Sequence, residues 1–415
     1  GFLTMDSYQH IAQTLEAGRF DCVFFDDRLA MPGVYGNSVA EAVRYGARPI
    51  KLDLTAVLGG IIGATSRIGI GATYSTTYYD PFHVARTFAT LDHLSGGRAA
   101  WNVVTSVNDS EAQNFGLESH LDHDERYDRA HEFLEAVGAL WDSWEDDALI
   151  LDQASGEFAD PAKVHEVNHD GTYFSVRGPL TVPRTPQGRP AILQAGSSGR
   201  GREFAAQWAD MIFTADPGLP VAQQHYTDQR ERIAATGRDP DSVKILPMAY
   251  AVVGETQAIA EEKERLFLDA YVHPVASLTL LSEVMNYDFA KHDLDDPVTE
   301  EMMAASGGIR GLAEGVRRHL DREVTVRDLA AHRATLLQGP RFVGTPDRVA
   351  DQMQEWVESG GCDGFVLAAT HLPGAFEEFV RMVVPILQER GLMRREYEGT
   401  TLRDHLGIER PARSL

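Results

Sequence analysis

Apolar positions along this chain follow two rhythms, one helical and one of short, continuous runs. Residues 6–18 place apolar side chains at helical spacing, and Gly18 supplies a stop. Phe20–Phe25 is a compact apolar run that ends in Asp26-Asp27. The two rhythms then take turns. Residues 52–66 read as helix and Arg67–Thr73 as strand. Residues 81–95 read as helix, with Pro81 at the start, where its missing N–H costs nothing, and Gly96-Gly97 at the end. Arg98–Val104 is the next strand, and a long helix follows near 124–144. Residues 150–190 carry Pro, Gly and short β-like runs and read as an excursion. Then come strand Ala191–Ala195, helix 199–209, strand Met211–Thr214, helix 219–236, strand Lys244–Val253 and helix 258–272. Residues 275–340 show helical pieces and no clear strand. Helix 346–358, strand Gly364–Ala368, helix 375–390 and a polar tail complete the chain.

Strands that alternate with helices predict a parallel sheet with right-handed crossovers. The strands are apolar throughout, as expected where helices cover both faces. The pattern contains seven such strands, whereas a closed (β/α)8 barrel needs eight. The first helix has no strand before it, so a barrel reading expects strand one upstream of Gly1. An open doubly wound sheet is the alternative, but it would show a Gly-rich phosphate turn after its first strand, and none is present. The expected architecture is one barrel domain over 1–415, with the excursion at 150–190 and a helical lid at 275–340.

Composition narrows the function classes. A net charge of −24 with no basic stripe argues against nucleic acid. No apolar run approaches the roughly 20 residues needed to cross a bilayer, and no secretory pattern opens the chain, so a cytoplasmic place is expected. The two cysteines, Cys22 and Cys362, cannot build a disulfide framework or a Cys-rich metal site. No metal is expected.

In a parallel barrel, chemistry gathers at the C-terminal ends of the strands. There the chain places Asp26-Asp27, the run Thr73–Tyr79, then Asn102, Thr105, Ser106 and Asn108, then Gln194–Arg200, and Phe213-Thr214. Adjacent strand residues point to opposite faces, so at most one of Asp26 and Asp27 enters a site. The turn Gly196-Ser197-Ser198-Gly199 opens a helix whose N-terminal N–H groups suit a phosphate, although it also reads as a plain N-cap. His123 and Tyr127 share a helix face, with His120 nearby. No nucleophile elbow and no Walker loop are present, which leaves hydrolytic readings without support.

Several segments together carry a family resemblance. They are Thr73–Arg86, Thr90–Arg98, Trp101–Ser106, Asn114–Gly116 through His123–Tyr127, Gln194–Ser198 and Thr401–Gly407. They resemble the bacterial-luciferase-like FMN-dependent monooxygenases, in the branch of the nitrilotriacetate and dibenzothiophene-sulfone monooxygenases. The resemblance implies a (β/α)8 TIM barrel that takes reduced FMN from a separate NAD(P)H:flavin reductase, uses O2 as co-substrate and oxygenates a small organic molecule. It implies FMN contacts at Asp27, Thr73, Asn102, His123, Tyr127, Ser197 and Ser198, the last two and Tyr127 at the phosphate. Phe24 and Phe213 would line the substrate side, and a homodimer or homotetramer is expected. At the lid position where the sulfone enzyme carries a histidine, this chain aligns Val284, which puts sulfone oxidation in doubt.

The substrate is open at this point. The apolar lid segment Ala276–Leu281 favours an aromatic or heterocyclic ligand over a polyanion, against which stand Arg310, Arg317 and Arg318. A flavin lyase that cleaves riboflavin with reduced FMN and oxygen is an alternative. So are a deazaflavin- or FMN-dependent hydride transfer and a non-catalytic flavin-binding partner.

Overall fold

In the computed structural model, residues 1–415 are described except 197, 272, 306–312, 314–321, 337–338 and 415. Eight parallel strands form the central sheet: β1 (Cys22–Phe25), β2 (Gly69–Ser75), β3 (Ala99–Val104), β4 (Ala191–Gln194), β5 (Met211–Thr214), β6 (Lys244–Val253), β7 (Arg341–Gly344) and β8 (Val366–Ala368). β1 to β6 pair in sequence order. β6 is long enough to serve three neighbours. Lys244–Pro247 pair with β5, Met248–Tyr250 with β8, and Tyr250–Val253 with β7. Among the described residues, β1 and β8 do not pair with each other. The seven expected strands are all present, within two residues of their predicted starts. β7 was not expected.

Helices cover the outside: α1 (Met5–Ala17), α2 (Leu54–Ile62), α3 (Pro81–Ser95), α4 (His123–Trp141), α5 (Gly199–Trp208), α6 (Leu219–Ala235), α7 (Gln257–Tyr271), α8 (Pro274–Met285), α9 (Pro346–Glu358) and α10 (Gly374–Met382). Local chemistry sets their ends. Asp53 caps α2 by accepting from Thr55 N–H, and Ser198 caps α5 by accepting from Gly201 N–H. Gly96 closes α3 at φ 71°, a left-handed conformation that costs glycine little. The expected helix 375–390 is two helices, because Pro385 sits at the start of the second, Val384–Glu389.

The main core lies between the sheet and the helices. Trp101 is fully buried against Phe88, Phe133 and Trp141, and its indole N–H donates to Tyr74 O at 3.1 Å. The polar tail does structural duty. Its helix Leu402–Leu406, held by a Thr401/Asp404 capping box, packs the fully buried Leu402 with Ala100, Ala191, Leu193 and Met211. Leu402 also sits over Gly69, where a Cβ would come within 2.7 Å of it. This closes the end of the sheet where the strands begin, and Arg403 fastens it to Asp210 at 2.8 Å.

The segment 275–340 is largely helical where described. Its residues Leu278, Leu281, Phe289, Val298, Met302, Met303 and Leu329 form an apolar cluster separate from the barrel's own.

Candidate active site

Side chains two apart on a strand share a face. On β2 that rule carries Gly69 and Gly71 up to Thr73; on β3 it carries Ala100 up to Asn102. Thr73 and Asn102 are register partners, both buried at 5% and 4% exposure. Asn102 Nδ2 donates to Thr73 Oγ1 at 2.8 Å, and Thr73 Oγ1 donates to Phe25 O at 2.9 Å. Asn102 Oδ1 is buried with no hydrogen-bond partner among the described residues. An acceptor fixed this way in a buried layer is suited to an N–H of a bound ring. Above it, Ser106 Oγ donates to Ser75 Oγ at 3.0 Å, and the Arg126 guanidinium donates to Ser106 O. Beside this layer lie Phe24 and Phe213, ring centroids 6.5 Å apart, in a cluster with Cys22 and Leu246. They make an apolar wall.

The two aspartates after β1 separate. Asp26 is exposed and pairs with Lys51 Nζ at 2.7 Å, which holds its carboxyl below the ordinary value against the opposing effect of burial. Asp27 is half-buried and accepts from Arg28 N–H at 2.8 Å; burial pushes its carboxyl up.

A second group of polar residues gathers at the start of α5. His123 Nε2 lies 3.3 Å from Ser198 Oγ, and the His123 ring stands 5.1 Å from that of Tyr127. A Cβ on Gly201 would meet Tyr127 Oη at 2.7 Å and Gly196 Cα at 2.8 Å. Only glycines let the turn, the helix start and the tyrosine approach this closely. Tyr127 Oη has no hydrogen-bond partner among the described residues. Arg200 is engaged by Asp128. Ser197, expected here, lies outside the described residues.

Leu278 and Leu281 of the apolar lid run Ala276–Leu281 pack into the lid's own cluster, whereas Ala276 and Leu280 stay partly exposed. Arg310, Arg317 and Arg318, weighed against it, lie outside the described residues. Val284 is 48% exposed on α8, whereas its neighbour Glu283 is buried at 2%. Glu283 was missed by the sequence reading, although an acid within the apolar run Pro274–Met285 was a visible signal. Its carboxylate accepts from Gly33 and Val34 N–H groups and from Ser110 Oγ.

The His120 ring, 5.7 Å from Tyr78, has both nitrogens buried without partners among the described residues, and burial together with the nearby Arg126 pushes it down to about 4. Tyr78 stacks on Phe115 at 4.7 Å. These rings border the strand ends that carry Thr73 and Asn102.

A parallel α/β barrel, closed at one end by its tail and polar at the other, offers room for a site at the strand C-termini. The chain belongs to the luciferase-like monooxygenase family, which matches residues 4–363, and it is a monooxygenase of that flavin-dependent class. It is 46% identical over 99% of its length to a dibenzothiophene-sulfone monooxygenase of Rhodococcus erythropolis, covering 91% of that protein. It is 40% identical to nitrilotriacetate monooxygenase component A of Aminobacter aminovorans, covering 98% of this chain and 91% of that one. A crystal structure of a riboflavin lyase with modified FMN and riboflavin superposes with a TM-score of 0.87 at 33% identity, over 99% of this chain and 90% of that one. No described helix is long and apolar enough to cross a membrane.

Proposed function

We propose that this enzyme is the oxygenase component of a two-component system, taking reduced FMN from a separate reductase and using O2 to oxygenate a small aromatic or heterocyclic substrate. The observation that carries the reading is the pairing of two sites. One is a buried amide layer, Thr73–Asn102, with a free acceptor beside the Phe24–Phe213 wall. The other is a glycine-tight helix start ringed by Ser198, His123 and Tyr127. The first suits a flat ring system with N–H edges, and the second suits a phosphate. Together they fit a phosphorylated flavin.

In this reading Ser198, Tyr127 and the N–H groups of α5 hold the phosphate, and His123 adds a donor there. Asn102 and Thr73 orient the ring. Asp27 faces its polar edge. Phe24 and Phe213 seat an apolar substrate beside it, and the lid over 275–340 excludes water. Reduced FMN, when bound, supplies the two electrons that let one oxygen atom enter the substrate while the other leaves as water. The residues therefore position and shield, and no acid–base triad is required.

The aromatic wall favours an apolar ring over a polyanion such as nitrilotriacetate. The similarity to a riboflavin lyase keeps riboflavin as the second reading. The test is oxygen uptake and product mass with a flavin reductase, NADH and FMN, against an aromatic sulfone, riboflavin and nitrilotriacetate. Uptake that depends on an aromatic compound, with one oxygen atom added, is expected; the sulfone serves as the probe of that ring class, since Val284 stands where the sulfone enzyme carries its lid histidine. Turnover of riboflavin alone would transfer the assignment to the lyase reading, and turnover of nitrilotriacetate alone would overturn the aromatic preference.

A further inference from the structure

Glu283 sits on a lid that has its own apolar core, yet its carboxylate is wholly removed from solvent, with a side-chain exposure of 0%. A buried carboxylate costs several kcal/mol unless donors replace its hydration. Among the described residues, the donors come from two segments of the barrel rim and none from the lid. Gly33 and Val34 N–H groups, in the loop after β1, reach one oxygen, and Val34 does so at 3.0 Å. Ser110 Oγ, on the helix Asp109–Asn114 after β3, reaches the other at 3.0 Å. Arg28 brings its guanidinium to 3.9 Å from that same oxygen.

Smaller ties run alongside. Gly36 N–H donates to Asp288 Oδ1 at 2.7 Å, and Asn286 Nδ2 donates to Asp109 Oδ2 at 3.0 Å. Tyr45 stacks on His273 at 3.8 Å. The two rim loops are also tied to each other without the lid, because Leu29 N–H donates to Glu111 Oε1 at 3.0 Å. The lid's cluster and the barrel's clusters are distinct, and Tyr35 is the rim-loop side chain that packs against the lid's. The described part of the lid therefore packs its own core, and the buried polar ties that dock it on the rim converge on one carboxylate, alongside the packing of α8 against the helix Ala40–Tyr45.

We propose that Glu283 is the positioning residue that latches the lid to the two rim loops and so sets the loop carrying Asp27 over the cofactor site. Its cofactor consequence rests on the FMN reading above; the latch itself does not. A carboxylate exchangeable with water suits such a part, since both its oxygens and its donors find hydration when the lid lifts. Closed and open forms then differ by a modest free energy, as a lid that admits substrate and releases product requires.

The test uses the full chain with Glu283→Ala, Glu283→Gln and Ser110→Ala, read by hydrogen–deuterium exchange and by FMN titration. In Glu283→Ala, exchange at residues 28–36 and 109–114 should rise about tenfold or more, the scale of a lost charge-assisted hydrogen bond. FMN should dissociate about tenfold faster, with exchange in α9 unchanged. Glu283→Gln keeps an oxygen for Gly33 and Val34 and should restore most of the protection. Ser110→Ala removes one donor and should give a smaller rise in the same two segments. Parent-like exchange at Gly33–Gly36 in Glu283→Ala would overturn the latch. If the parent itself does not bind FMN, the cofactor reading fails, and the exchange pattern still decides the latch.

Discussion

Asn102 spends its amide N–H on Thr73 Oγ1 at 2.8 Å and keeps its carbonyl oxygen, buried, without a partner. Thr73 passes the bond on to Phe25 O, so a chain of donors running across three strands fixes which end of the amide stays free. Thr73→Val should therefore leave the Asn102 N–H unsatisfied and cost about 1–3 kcal/mol of stability. It should also weaken FMN binding, because the amide can then turn. Thermal unfolding and a fluorescence titration check the two effects separately.

Gly201 and Gly199 lie two residues apart on α5 and differ sharply in their surroundings. A methyl at Gly201 would meet Tyr127 Oη at 2.7 Å and the Gly196 backbone at 2.8 Å, whereas a methyl at Gly199 meets nothing within 4 Å. Gly201→Ala should lower FMN affinity by about tenfold or more. Gly199→Ala should leave affinity unchanged and stabilise the helix by about 0.5–1 kcal/mol. Equal affinities for the two variants would remove the helix start from the phosphate site.

The barrel was legible because its strands are covered on both faces and so stand out as apolar runs of three to ten residues. The strand Arg341–Gly344 was not, because it has four residues of alternating burial next to a proline and pairs only with the far end of β6. The rim residues that lie on strand ends or at a helix start, such as Thr73, Asn102, Tyr127 and Ser198, could be placed from sequence because their elements could. Glu283 could not, since its partners lie 173 to 250 residues away in loops with no periodicity. Val284 was placed by alignment, and it lies one helical residue, a turn of about 100°, from the buried Glu283.

His405, in the tail helix, is 6% exposed, with both ring nitrogens unpartnered among the described residues. Burial, then the charges of Arg394, Arg67 and Arg98 against the opposing Asp404, push it down to about 4 from 6.5. A histidine whose folded value is lowered takes up its proton more readily when unfolded. Stability is therefore retained above pH 6.5 and falls as pH drops toward 4, by about 2 kcal/mol at pH 5 from this group. His405→Phe should flatten that part of the profile. Urea unfolding of both proteins at pH 7 and pH 5 measures it; an unchanged difference between the two pH values would assign the loss elsewhere.

Phe213 meets Phe24 at the apolar wall and has no role at the helix start. Phe213→Ala should raise KM for an aromatic sulfone by about tenfold or more, the worth of a buried aromatic side chain, and leave FMN affinity unchanged. A matching loss of FMN affinity would place the ring against the cofactor instead.

The lid segment between β6 and β7 leaves after Val253 and returns at Arg341, the register partner of Tyr250, where Tyr250 N–H donates to Pro340 O at 2.9 Å. A segment whose two ends are both held on the last four residues of one strand can change length and content with little pull on the sheet beneath it. The part of the chain that would cover the substrate is thus free to diversify, while the part that would carry the flavin stays in register. One barrel can then be refitted for unlike molecules by exchanging a single cassette at a single seam.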